Sequence, residues 1–121
     1  MFVVIAVAIA SSLGGLARYG LSSLVHGDEL PWATMAINVA GSFLLGLLLV
    51  VPGAWLSEQA RTALGVGLLG GFTTFSTFSV QAFLDFEAGE PARAFAYIGA
   101  SVLLGLAAAA AGYYGGRVLM H

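Results

Sequence analysis

Residues 67–83 read GLLGGFTTFSTFSVQAF. A Gly pair, three Thr, two Ser, a Gln and four Phe stand together inside what is otherwise an apolar run. The chain of 121 residues is 60% hydrophobic and only 8% charged, with a mean hydropathy of +0.97. A soluble domain carries about 25% charged residues to cover its surface. This composition cannot do so, and it predicts an all-α integral membrane protein. Hydroxyls placed at mid-span in lipid need partners, water or an ion. The stretch therefore decides both the fold and where function is sought.

Four apolar runs are long enough to cross a bilayer, a task for about 20 residues. They cover about 2–25, 32–51, 57–84 and 91–117, as a single four-helix transmembrane domain over 1–121. The first lacks the basic flank of a cleavable signal and is read as an uncleaved helix. Pro31 suits the first turn of the second run, Pro52 ends it, and Pro91 opens the fourth. Gly115, Gly116 and Arg117 close the fourth. The connections HGDELP, VPGAW and DFEAGEP are short, so sequential helices are expected as antiparallel neighbours. Small residues repeat every four positions: Ala10 and Gly14; Ser42 and Gly46; Gly67 and Gly71; Ala108, Gly112 and Gly116. Such stripes allow close helix packing in lipid.

Several functions are excluded at once. No Cys exists for disulfides, thiolate metal sites or thiol nucleophiles, and there is no Lys. No basic patch could neutralise nucleic-acid phosphates. No nucleophile–base pair, phosphate loop or metal spacing appears, so an enzyme is not expected. His26 and His121 have no second ligand nearby, and Asp28, Glu29, Asp85, Glu87 and Glu90 read as loop charges. Arg18 and Arg93 fall on one side of the membrane, Arg61 and Arg117 on the other. Orientation normally follows an excess of Lys and Arg in cytoplasmic loops. The balance here predicts insertion either way up.

The polar residues form stripes. Thr34, Asn38 and Ser42 lie at i, i+4 and i+8 of the second helix, hence on one face. Thr74, Thr77 and Gln81 share a face of the third, beside Phe72, Phe75 and Phe78; Tyr97 and Ser101 are paired on the fourth. All are donors and none is acidic, which favours a dehydrated anion. Ring edges of Phe are electropositive and suit an anion as well. Gly70–Gly71 before β-branched Thr73–Thr74 makes a poor helix interior. A break is expected there, with freed carbonyls of the kind that hold Na⁺ in transport proteins. Arg18 reads either as a snorkelling anchor or as an anion attractor.

GGLARYG (14–20), NVAGSFLLG (38–46) and GGFTTFSTFS (70–79), in this order across four spans, resemble the Fluc (CrcB) family of bacterial fluoride channels. The resemblance covers essentially the whole chain. It implies passive fluoride export across the bacterial cytoplasmic (inner) membrane by an antiparallel, dual-topology homodimer with two pores. It also implies that Asn38 lines the pore and that Phe75 and Phe78 turn ring edges to the ion. Thr77, Tyr97 and Ser101 resemble its polar lining. The carbonyls of Gly70 and Thr73 resemble ligands of a central structural Na⁺, and Arg18 matches the helix-one Arg. Ala33 stands where the family often has Gly before the residue matching Thr34. Gln81 stands where many members have Glu, which leaves any carboxylate role there in doubt. A small proton-coupled multidrug exporter would also have four helices, but it needs a membrane-embedded carboxylate. A non-conducting assembly subunit would leave the hydroxyl stripe unexplained.

Overall fold

The computed structural model describes residues 1–25 and 31–121; His26, Asp28 and Glu29 lie outside the described residues. Among these, the regular elements are all helical. Helix α1 covers Phe2–Leu24 and α2 covers Trp32–Leu49. The third span runs from Glu58 to Glu87. It comprises α3 (Glu58–Thr62), a π-helical stretch (Ala63–Leu69), α4 (Gly70–Phe72) and α5 (Phe75–Glu87). Helix α6 is Pro91–Met120. Four spans are thus long and apolar enough to cross a membrane.

The ends of these helices follow from local chemistry. Ser57 caps α3, its Oγ accepting from the Ala60 N–H at 3.2 Å. Arg61 then donates to the carbonyls of Leu48 and Val51, satisfying acceptors at the end of α2. Gly89, with φ of 74°, turns the chain between α5 and α6. Across that turn Arg93 pairs with the buried Asp85 at 3.0 Å. From sequence Asp85 reads as a loop charge and Arg93 as a topological signal, yet they staple one hairpin.

Short connections predict sequential neighbours, but the extensive packing joins other pairs. Helix α1 lies on the π-helical stretch and α4, and α2 lies along α6. Glycine decides this. A Cβ on Gly14 would strike the Leu68 carbonyl, and one on Gly112 would strike the Phe43 carbonyl. Backbones this close exclude any side chain and gain dispersion where lipid supplies no hydrophobic drive. Gly116 is likewise buried against Val50 and Leu47. That contact holds α6 helical through Gly115–Arg117, where glycine and composition predict its end, and the helix continues to Met120.

Candidate functional site

The polar stretch departs from helix at two residues. Thr73 (φ −83°, ψ 160°) and Thr74 (φ −149°, ψ 118°) are extended. Gly70 and Gly71, expected to open the interruption, are still helical. The extended backbone falls on the β-branched pair, whose side chains suit it. Phe72 therefore belongs to a different helix from Phe75 and Phe78, and no continuous three-residue stripe links them. Thr74 is the N-cap of α5 and not part of its helical face with Thr77 and Gln81. Its Oγ1 accepts from the Thr77 N–H at 3.2 Å and donates to Thr77 Oγ1 at 3.0 Å.

Asn38 closes the interruption from α2. Its Nδ2 donates to the Thr74 carbonyl at 3.0 Å, and its Oδ1 accepts from the Thr74 N–H at 2.9 Å. One side-chain amide thus meets both polar groups of one extended residue, as a neighbouring strand would. Gly41, one turn further on, has no side chain to obstruct this approach: a Cβ there would strike Thr73 Cγ2. Ser42 Oγ donates back to the Asn38 carbonyl at 2.7 Å.

These bonds change which backbone groups remain. Helical geometry would assign the Thr74 N–H to the Gly70 carbonyl and the Thr77 N–H to the Thr73 carbonyl. Those two N–H groups go instead to Asn38 Oδ1 and Thr74 Oγ1. The carbonyls of Gly70 and Thr73 are thereby deprived of their helical donors. Leu69 O, by contrast, accepts from both the N–H and the hydroxyl of Thr73, each at 3.0 Å. Gly71 O receives Arg18 Nε at 3.3 Å, so Arg18 reaches into the third span from α1.

An open groove of about 270 Å³ runs past these groups, with Asn38, Ser42, Gly70, Thr73, Thr74, Phe75 and Phe78 among its lining residues. Phe75 is 80% exposed, and its ring lies 5.9 Å from that of Phe78. Phe78 in turn lies 5.2 Å from Tyr97, which is fully buried. The Tyr97 hydroxyl donates to Gln81 Oε1 at 2.9 Å, and Thr34 of α2 is buried. Gln81 acts here as an acceptor, a task that its amide shares with a carboxylate. One turn along α6, Ser101 Oγ is buried with no hydrogen-bond partner among the described residues. Tyr97 and Ser101 are not in the groove lining, and neither are Thr77, Gln81, Thr34 and Arg18.

Sequence reasoning missed the Asn38–Thr74 pairing and the cap. The cap had a signal: Thr is itself a favoured residue at a helix N-cap. Gly41, Leu45 and Gly65 also line the groove, and nothing in their types distinguishes them from packing residues.

The arrangement defines a polytopic helical membrane protein whose third span is interrupted beside an open groove of amide, hydroxyl and aromatic groups. The family described as "CrcB-like protein, Camphor Resistance (CrcB)" matches residues 5–113. A "Fluoride-specific ion channel FluC" of Thermus thermophilus is 45% identical over 119 residues, covering 94% of each chain. "Fluoride-specific ion channel FluC 1" of Nitrobacter hamburgensis is 45% identical over 122 residues, covering 96% of each. The "Fluoride-specific ion channel FluC" of Geobacter sulfurreducens is 40% identical over 124 residues, covering 98% of this chain and 100% of its own. The chain belongs to the CrcB-like family and is a multi-pass protein of the bacterial inner membrane.

Proposed function

We propose that this protein is a fluoride channel through which fluoride leaves the cell passively, without enzymatic chemistry. The observation that carries the reading is the groove in which Asn38, the Thr73–Thr74 interruption, Phe75 and Phe78 converge, in a chain whose relatives bear the name of fluoride channels. Fluoride holds water strongly, so a path for it needs closely spaced donors to replace that shell. Amide and hydroxyl protons supply them, and the positive edges of Phe rings attract the ion without holding it tightly.

The functional unit in this reading is an antiparallel homodimer with two pores. The groove is open in one chain, and Phe75 is too exposed to form a pore wall by itself. A second copy in opposite orientation, consistent with the balanced Arg residues, would cover it. The carbonyls of Gly70 and Thr73 fit a structural Na⁺, being hard oxygen donors deprived of their helical N–H groups. Bound there, the ion would supply positive charge that ties the interruption together. A proton-coupled exporter is disfavoured because the buried Asp85 is engaged by Arg93 in the α5–α6 hairpin.

The test is fluoride efflux from liposomes holding the purified protein, with equal Na⁺ on both sides. Fluoride release with chloride retained is expected. Absence of selective release, or release that requires a Na⁺ gradient, would overturn the channel reading.

A further inference from the structure

A second cavity, of about 460 Å³, lies where the ends of α2 and α6 meet, and it shares no lining residue with the groove. Its polar walls are Arg117, Tyr113 and His121; Leu49, Val50 and Val51 form much of the rest. Among the described residues no acidic side chain lines it. Among the described residues Arg117 enters no ion pair, its guanidinium standing 5.8 Å from the Tyr113 ring centroid.

Three carbonyls at this end, which would otherwise repel an anion, already have donors. Arg61 donates to the Leu48 and Val51 carbonyls, and His121 Nε2 meets the Val50 carbonyl at 2.7 Å. Arg61 also has Glu58 at 3.8 Å, but Glu58 points outward and is exposed. The Arg117 guanidinium therefore supplies the cavity's fixed positive charge, and its surroundings are those of a membrane interface. Trp55, Tyr113 and Tyr114 stand exposed at this end, as aromatic belts do. Leu49, Val118 and Leu119 offer exposed apolar surface beside them.

We propose that this cavity binds the phosphodiester of an anionic diacyl lipid such as phosphatidylglycerol. Arg117 faces the phosphate, Tyr113 flanks the headgroup, and the acyl chains lie along the Leu49 side. Basic pockets between spans recognise headgroups in this way. A zwitterionic lipid brings the same phosphate with an ammonium beside it, which a cationic cavity disfavours. The site is independent of the groove, so its test does not depend on fluoride conduction.

The experiment is native mass spectrometry of the full chain in detergent with phosphatidylglycerol, phosphatidylcholine of matched acyl chains, or inorganic phosphate. Wild type should retain phosphatidylglycerol preferentially. Arg117→Gln should weaken that retention about fivefold, the worth of one basic side chain at an anionic surface, and Arg117→Lys should restore most of it. Arg117 is exposed, so the pair of variants is expected to fold. Equal retention of both lipids by wild type overturns the proposal. So does retention unchanged in Arg117→Gln, or inorganic phosphate competing as strongly as the lipid.

Discussion

Asn38→Asp exchanges an amide nitrogen for oxygen at the point where α2 grips the interrupted span. The bond from the Thr74 N–H, 2.9 Å in length, survives and becomes charge-assisted. The bond to the Thr74 carbonyl at 3.0 Å is lost, because its donor is now an acceptor. Leaving that carbonyl unmet costs about 1–3 kcal/mol, which the surviving bond partly offsets, so the protein should still fold. Conduction should suffer far more. A carboxylate 4 Å from a passing anion repels it by about 4 kcal/mol at an effective dielectric of 20, or about 10³-fold in rate. The assay is fluoride efflux from liposomes, with size-exclusion elution as the control for folding. An intact elution profile with an efflux loss below about tenfold, equivalent to about 1.4 kcal/mol, would refute the placement of Asn38 beside the path. Asn38→Ala, losing both bonds, should instead disturb the elution profile.

Phe75→Leu and Phe78→Leu should strongly impair efflux, with Phe72→Leu mild, since Phe72 belongs to α4 and is absent from the groove lining; equal modest losses at all three would return the rings to packing. Gly14→Ala should destabilise by about 1–3 kcal/mol or more, as its Cβ meets backbone, whereas Gly15→Ala meets nothing within 4 Å and should be tolerated in thermal unfolding. Thr77→Val should reduce efflux more than Ser42→Ala, measured in the same liposomes, because the Ser42 proton is already given to Asn38 O. Two Lys added to one connection should bias orientation and lower function unless an oppositely biased partner is co-expressed; C-terminal reporter fusions showing one orientation in the unmodified chain would contradict this.

The spans were legible because lipid is the solvent. Long apolar runs punctuated by Pro31, Pro52 and Pro91 leave little else to build. The pairing of spans was less legible: loop length argues for neighbours in sequence, while backbone contact at Gly14 and Gly112 overrides it. The π-helical stretch left no trace in ALGVGLL, yet it exists in bonds such as Gly70 N–H to Gly65 O. The polar stripes were visible as types and spacings. What they bond to was not, since Asn38 and Thr74 are 36 residues apart and meet only once the spans are assembled. Arg93 carried a topological signal in sequence and also a structural one, and only the fold reveals Asp85 as its partner.

Counting donors from sequence overstates what an anion can use. The fold gives the Ser42 hydroxyl to Asn38 O, that of Thr73 to Leu69 O, that of Thr74 to Thr77, and that of Tyr97 to Gln81. Committing them internally is what allows extended backbone to persist at membrane depth, where unmet groups are costly. The protons left over include the second Nδ2–H of Asn38, the Thr77 hydroxyl, the Ser101 hydroxyl and the Gln81 amide. Thr77 is oriented by accepting from Thr74, and a hydroxyl that accepts donates more strongly in turn. Ser101 is buried and unmet among the described residues. The interruption therefore has two products. It holds most polar groups in fixed geometry, and it leaves a remainder of which Asn38 lines the groove, rigid because its neighbours are bonded. An ion that must shed its water gains most from such a remainder, since donors already fixed lose little freedom on meeting it.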